Sequence, residues 1–202
     1  MKTMYKAWGL HVGVTETGWL YVGGMSWAIC QSLEECPKEF KGAIIELCGD
    51  LPEPGQAYLA QKDAIQMEML NDFYILPSTT NVDPQDGPCE LSEVRDIVFR
   101  GPTKDLRLVE NIRSQSADVL DNNFVELVDP GQCGPEEDKV EGPFRQTMGI
   151  HMFVWHNGLT WYGVMPIGLH KPETDEPESS NTRLYEEAVT VAEAFGLRLN
   201  EG

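Results

Sequence analysis

The sequence predicts an α+β fold: an antiparallel sheet built around two aromatic β-hairpins, at about residues 5–28 and 148–167, with two or three helices packed on it. Three observations predict it. Residues 5–14 alternate apolar and small or polar side chains with a period of two, and an aromatic return strand follows the turn Thr15-Glu16-Thr17-Gly18. The 25 residues between Arg145 and Lys171 contain no Asp, Glu, Lys or Arg and are rich in Trp, Tyr, Phe and Met, the composition of core or interface. Near the C-terminus, Leu184, Ala188, Val191, Ala192 and Phe195 form one helical stripe that stops at Gly196. The 202 residues are of single-domain size.

In the first hairpin, Trp8, Leu10, Val12 and Val14 share one parity. Closing the loop on a Val14–Trp19 pair would return Trp19, Tyr21, Met25 and Trp27 to that same face. A helix is expected from about Gln56 to Tyr74, with Leu59, Ile65, Met69 and Phe73 inward, and a third from about Thr103 to Leu120 on the spacing of Leu106, Val109, Ile112 and Leu120. Phe40 to Cys48 fits either helix or strand. In the second hairpin Asn157-Gly158 separates two apolar runs, a strong turn signal because both positions favour positive φ. Ile150, Met152, Val154, Trp161 and Met165 then share one face, and Phe153, Trp155 and Tyr162 the other. With both faces apolar, this hairpin is either central and covered twice or presents a face to a partner, and Trp155 and Tyr162 are the candidate contacts, for a homodimer or a different protein. Overlaid at an offset of 140 residues, the hairpins match at Gly9, His11, Val14, Gly18, Gly23 and Met25, which raises an internal duplication.

Charge narrows the function classes. Against 33 Asp and Glu stand 15 Lys and Arg, a net charge of −18, which opposes direct binding to nucleic acid phosphates or anionic lipid. The acidity is segmental: residues 34–96 carry fourteen acids and four bases. Glu136-Glu137-Asp138 and Glu173-Thr174-Asp175-Glu176 are the densest runs, and they are the candidate contacts for a basic partner. Five cysteines, with no CxxC or zinc-finger interval, fit buried thiols in a reducing cytosol better than staples or a metal site. The N-terminus lacks the pattern of a secretory leader, and no apolar run is long enough for a helical span.

No strong catalytic motif stands out, and no cofactor or metal is expected. Gly24-Met25-Ser26-Trp27-Ala28 only loosely matches a nucleophile elbow and lacks the parallel sheet that such a turn needs. Asn81 to Gly87 lacks the Gly and Glu that a calcium loop requires at its sixth and twelfth positions. His11 and His151, equivalent in the 140-residue overlay, would suit a two-histidine hydrolase or phosphoesterase if a pseudo-dyad brought them together, one as base and one as acid. The main expectation is a noncatalytic cytosolic binder. It would be an inhibitor, immunity or anti-defence protein of a phage or bacterium, whose acidic surface engages a basic, nucleic-acid-handling protein as a nucleic acid mimic; the alternative role of that acidity is solubility alone.

Overall fold

A computed structural model describes residues 9–24, 26–61, 64–69, 89–91, 96–101, 104–111, 114–127, 141–146, 152–156, 160–172 and 180–200. They form an α+β fold with one large antiparallel sheet, a four-stranded mixed sheet and three helices. The strands are β1 (Leu10–Val14), β2 (Trp19–Gly23), β3 (Trp27–Ser32), β4 (Gln56–Gln61), β5 (Ala64–Met69), β6 (Cys89–Leu91), β7 (Asp96–Arg100), β8 (Asp105–Asn111), β9 (Ser116–Asp121), β10 (Glu141–Gln146), β11 (Phe153–His156), β12 (Thr160–Val164) and β13 (Arg198–Leu199). The helices are α1 (Lys38–Cys48), α2 (Asn122–Leu127) and α3 (Ser180–Ala194). Seven strands in the order β4-β1-β2-β3-β12-β11-β10 make the body of the large sheet, and β5 and β6 extend it at either edge. The small sheet runs β13-β9-β8-β7, with β13 parallel to β9.

The first hairpin forms, but its register is shifted by one residue from the expected pairing. Thr15 N–H donates to Trp19 O at 2.9 Å, and Gly18 N–H donates to Thr15 O at 3.0 Å. The loop is therefore the three residues Glu16 to Gly18, with Gly18 supplying the positive φ of 81°. The Thr15 hydroxyl also accepts from Trp19 N–H at 2.9 Å, holding the closing pair. Val12 consequently pairs with Val22, and Gly13 with Tyr21. Because the side-chain period is two, that slip moves Trp19 and Tyr21 to the opposite face from Val12 and Val14, while Trp27 stays with the valines. Trp8 and Met25, expected on that face, lie outside the described residues.

The second hairpin keeps the expected faces. Met152, Val154, Trp161 and Met165 pack together on the outer face of the large sheet, and Phe153, Trp155 and Tyr162 on the inner face. It lies between β3 and β10, with buried side chains on both faces. Its turn at Asn157-Gly158 lies outside the described residues. At the 140-residue offset the Val12–Val22 pair would map onto Met152 and Tyr162, yet Tyr162 pairs with Trp155. The two hairpins thus do not superpose residue for residue.

Two expected helices are strands in the structure. Residues 56–61 and 64–69 form the β4–β5 hairpin, delivered to β1 by Gly55 N–H donating to Val14 O at 2.7 Å. Ala60 faces Leu10 and Tyr58 faces Val12, so an open sheet edge overrides the weak helical spacing. Residues 105–111 and 116–121 form β8 and β9. Leu106 and Leu108 face one side and Val109 the other, all fully buried, and a strand buried on both faces loses the alternation that would reveal it.

The layers follow from these faces. Inner residues of the large sheet, among them Val12, Val22, Trp27, Phe153 and Trp155, pack against Val109 and Leu120 of the small sheet and Ile44 of α1. On the far side of the small sheet, Leu106, Leu108, Ala117 and Val119 meet Leu184, Ala188 and Ala192 of α3. The helix ends as expected, at Gly196 with φ 72°.

Candidate functional site

Helix α1 follows Pro37, whose carbonyl accepts from the N–H groups of Phe40 and Lys41, both at 3.1 Å. Phe40, Ile44, Leu47 and Cys48 recur at helical spacing and pack on the inner core. The helix stops at Gly49, where φ is 87° and the N–H reaches Ile45 O at 2.7 Å. The opposite face carries Glu39, Gly42, Ile45 and Glu46, all exposed. Ile45 is 41% exposed. A Cβ built on Gly42 or Gly49, each about one turn from Ile45, would meet nothing within 4 Å, so the isoleucine is an apolar knob between two open positions.

Acids flank this face. Glu34 and Glu35 precede α1, and Asp50 and Glu53 follow it; all are exposed. The β1–β2 turn brings exposed Glu16 beside Gly55, with its Cγ 3.7 Å from the glycine's Cβ position. Lys38 and Lys41 are the bases of the segment 34–55. Beneath it, burial pushes the Cys36 thiol up from its ordinary value, partly offset by the Lys41 ammonium, and burial raises Cys48 as well. These thiols are protonated, buried packing groups, and Cys30 is buried as well.

The expected site residues fall in different places. Trp155 and Tyr162 are directly opposed in β11 and β12 and are buried between the sheets, 8% and 4% exposed, so that face is covered by the chain itself. Glu136, Glu137, Asp138, Glu173, Asp175 and Glu176 lie outside the described residues, as do His151 and the segment 81–87. His11 lies in β1 opposite Gly23 and Leu59. Strand β1, which carries His11, and β11 are four positions apart in the sheet. Ser26 lies between β2 and β3, where Gly24 N–H donates to Trp27 O at 2.9 Å. That is a hairpin turn, without the strand-to-helix geometry of a nucleophile elbow.

Other polar groups are used internally. Lys104 Nζ donates to Asp121 Oδ2 at 2.9 Å, and Arg107 Nε donates to Asn122 Oδ1 at 3.0 Å. His156 is stacked between Phe144 and Trp161, with ring centroids 5.2 and 4.5 Å away. Among the described residues no group of three or more His, Cys, Asp or Glu side chains could hold a metal ion, and no helix is long and apolar enough to cross a membrane. The densest acidic runs of the sequence do not include α1, and the signal in the sequence that marks it is the acid excess of residues 34–96. Comparison with protein-family models, curated proteins and solved structures finds no match.

Proposed function

We propose that the protein is a noncatalytic acidic binding protein that engages a basic protein partner through the exposed face of α1 and the turns beside it. The observation that carries this reading is the gathering of seven exposed carboxylates, Glu16, Glu34, Glu35, Glu39, Glu46, Asp50 and Glu53, on and around one helix that also exposes Ile45. Exposed charges of one sign steer encounter with an opposite surface, and an apolar knob among them supplies a contact that excludes water. A basic surface that handles nucleic acid has the matching charge. A protein that covers it would act as an inhibitor by charge mimicry, in the cytosol where such partners work. Glu136 to Asp138 and Glu173 to Glu176 add to the net charge that draws such a partner in.

The test is capture from extract of the native cell on the immobilised chain at about 0.05 M salt, followed by elution up to about 0.5 M. Three chains are compared: wild type, Glu39→Lys/Glu46→Lys on α1, and Glu186→Lys/Glu193→Lys on α3 as a charge-matched control. A basic protein held by wild type and the α3 variant, lost by the α1 variant and released as salt rises, supports the reading. An identical set of captured proteins on all three chains, or no species whose retention depends on salt, overturns it.

A further inference from the structure

The small sheet ends at β7, which among the described residues pairs with β8 alone. An edge strand offers a row of backbone donors and acceptors, and natural proteins blunt it with inward charges, prolines or bulges. β7 reads Asp-Ile-Val-Phe-Arg and has charge only at its two ends. Its central Val98 is 54% exposed, the most exposed of the large hydrophobic residues described, although its register partner Arg107 belongs to the face that meets the large sheet. Ile97 and Phe99 are half-buried on the α3 side. Arg100 is nearly free in solvent: its side chain is 92% exposed, with one loose ion pair to Asp105 at 3.9 Å.

We infer that β7 is a self-pairing edge, where a second copy of this chain docks antiparallel about a two-fold axis at Val98. The strand is complementary to itself when reversed. With Val98 opposite Val98 of the partner subunit, Ile97 faces Phe99 of the partner subunit, a β-branched and aromatic pair of the kind that stabilises sheets. Asp96 then faces Arg100 of the partner subunit, and the same ion pair recurs at the other end. Shifting the register by two residues leaves at least one charge opposite an apolar residue, and shifting by one turns the partner's α3 face to the wrong side. The product is a continuous eight-stranded sheet with the two α3 helices on one side. The interface is isologous, as a two-fold dimer requires. Pairing of five residues buries far less than a standard interface, so the dimer is weak. This inference is independent of the α1 reading, whose surface lies on another element.

Sedimentation equilibrium of the full chain tests it, from about 5 to about 500 µM at about 0.3 M salt, where the mutual repulsion of two highly acidic chains is screened. Wild type is expected to pass from monomer towards dimer over this range. Asp96→Arg and Arg100→Asp should each stay monomeric, because each sets like charges opposite one another at both ends. An equal mixture of the two variants should dimerise again, since every end then carries opposite charges. Val98→Lys, a change at an exposed position, should also abolish the dimer. Recovery in the mixture shows that the single variants are folded. Wild type that stays monomeric throughout, a dimer that survives Val98→Lys, or a mixture that stays monomeric while wild type dimerises would each overturn the inference.

Discussion

Asp118 in β9 and Arg145 in β10 approach to 3.8 Å across the space between the two sheets. Asp118 shares its face with Leu120, and Arg145 shares its own with Phe153, so the pair joins the small sheet to β10 of the large one through an otherwise apolar layer. A carboxylate buried there is costly without its cation. Arg145→Met is therefore expected to destabilise the fold by roughly 2 to 3 kcal/mol. Asp118→Asn combined with Arg145→Met should recover a good part of that loss. Urea unfolding of the two single variants and the double variant gives the coupling directly, and a value near zero would show that the contact contributes nothing.

Gly42 inside α1 and Gly49 at its C-terminal end should respond in opposite directions to the same substitution. Gly42 is inside the helix, with open space where a Cβ would go, so Gly42→Ala removes backbone freedom from the unfolded chain and should stabilise by about 0.5 to 1 kcal/mol. Gly49 also has open space but sits at φ 87°. Gly49→Ala should destabilise by roughly 1 kcal/mol through strain alone. Thermal unfolding of both variants checks this, and equal shifts of the same sign would refute it.

The buried thiols predict an alkaline limit to stability. Burial raises both Cys36 and Cys48, so above the ordinary thiol pKa, about 8.5, the unfolded chain has lost protons that the native chain keeps. The native state binds more protons in that window, and stability must fall as pH rises through it. The denaturation midpoint should hold from about pH 7 to about 8 and decline above about 9. Cys36→Ala/Cys48→Ala should be less stable at neutral pH but show a shallower alkaline decline. An unchanged slope in that variant would place the pH dependence elsewhere.

How much of this was legible in the sequence differs from element to element. The stripe Leu184, Ala188, Val191, Ala192 and Phe195 located α3, because a helix on one side of a sheet must keep its apolar residues on one face, although Phe195, beyond the helix end, is exposed. In the second hairpin, parity alone placed Trp155 and Tyr162 together, but it could not say that the small sheet would cover them. The first hairpin was legible as a hairpin yet not in its register, which the three-residue loop at Gly18 decided. For residues 105–121 the spacing imitated a helix because Leu106 and Val109 are buried on opposite faces of one strand. The acidity around α1 was visible as charge in residues 34–96. Its gathering with Glu16 depends on the turn that brings Gly55 to β1.

The sequence by itself determined the parity of the apolar residues in the second hairpin, the end of α3 at Gly196, the thiols without a metal spacing and the segmental acid excess. These properties depend on neighbours within a few residues or on composition. Only the tertiary structure decided that β12 pairs with β3, that residues 56–61, 64–69, 105–111 and 116–121 are strands, and that β7 pairs with β8 alone among the described residues. Strand pairing joins segments far apart in the chain. Its register is set by loop geometry, and a face becomes core or surface only when another layer arrives to cover it.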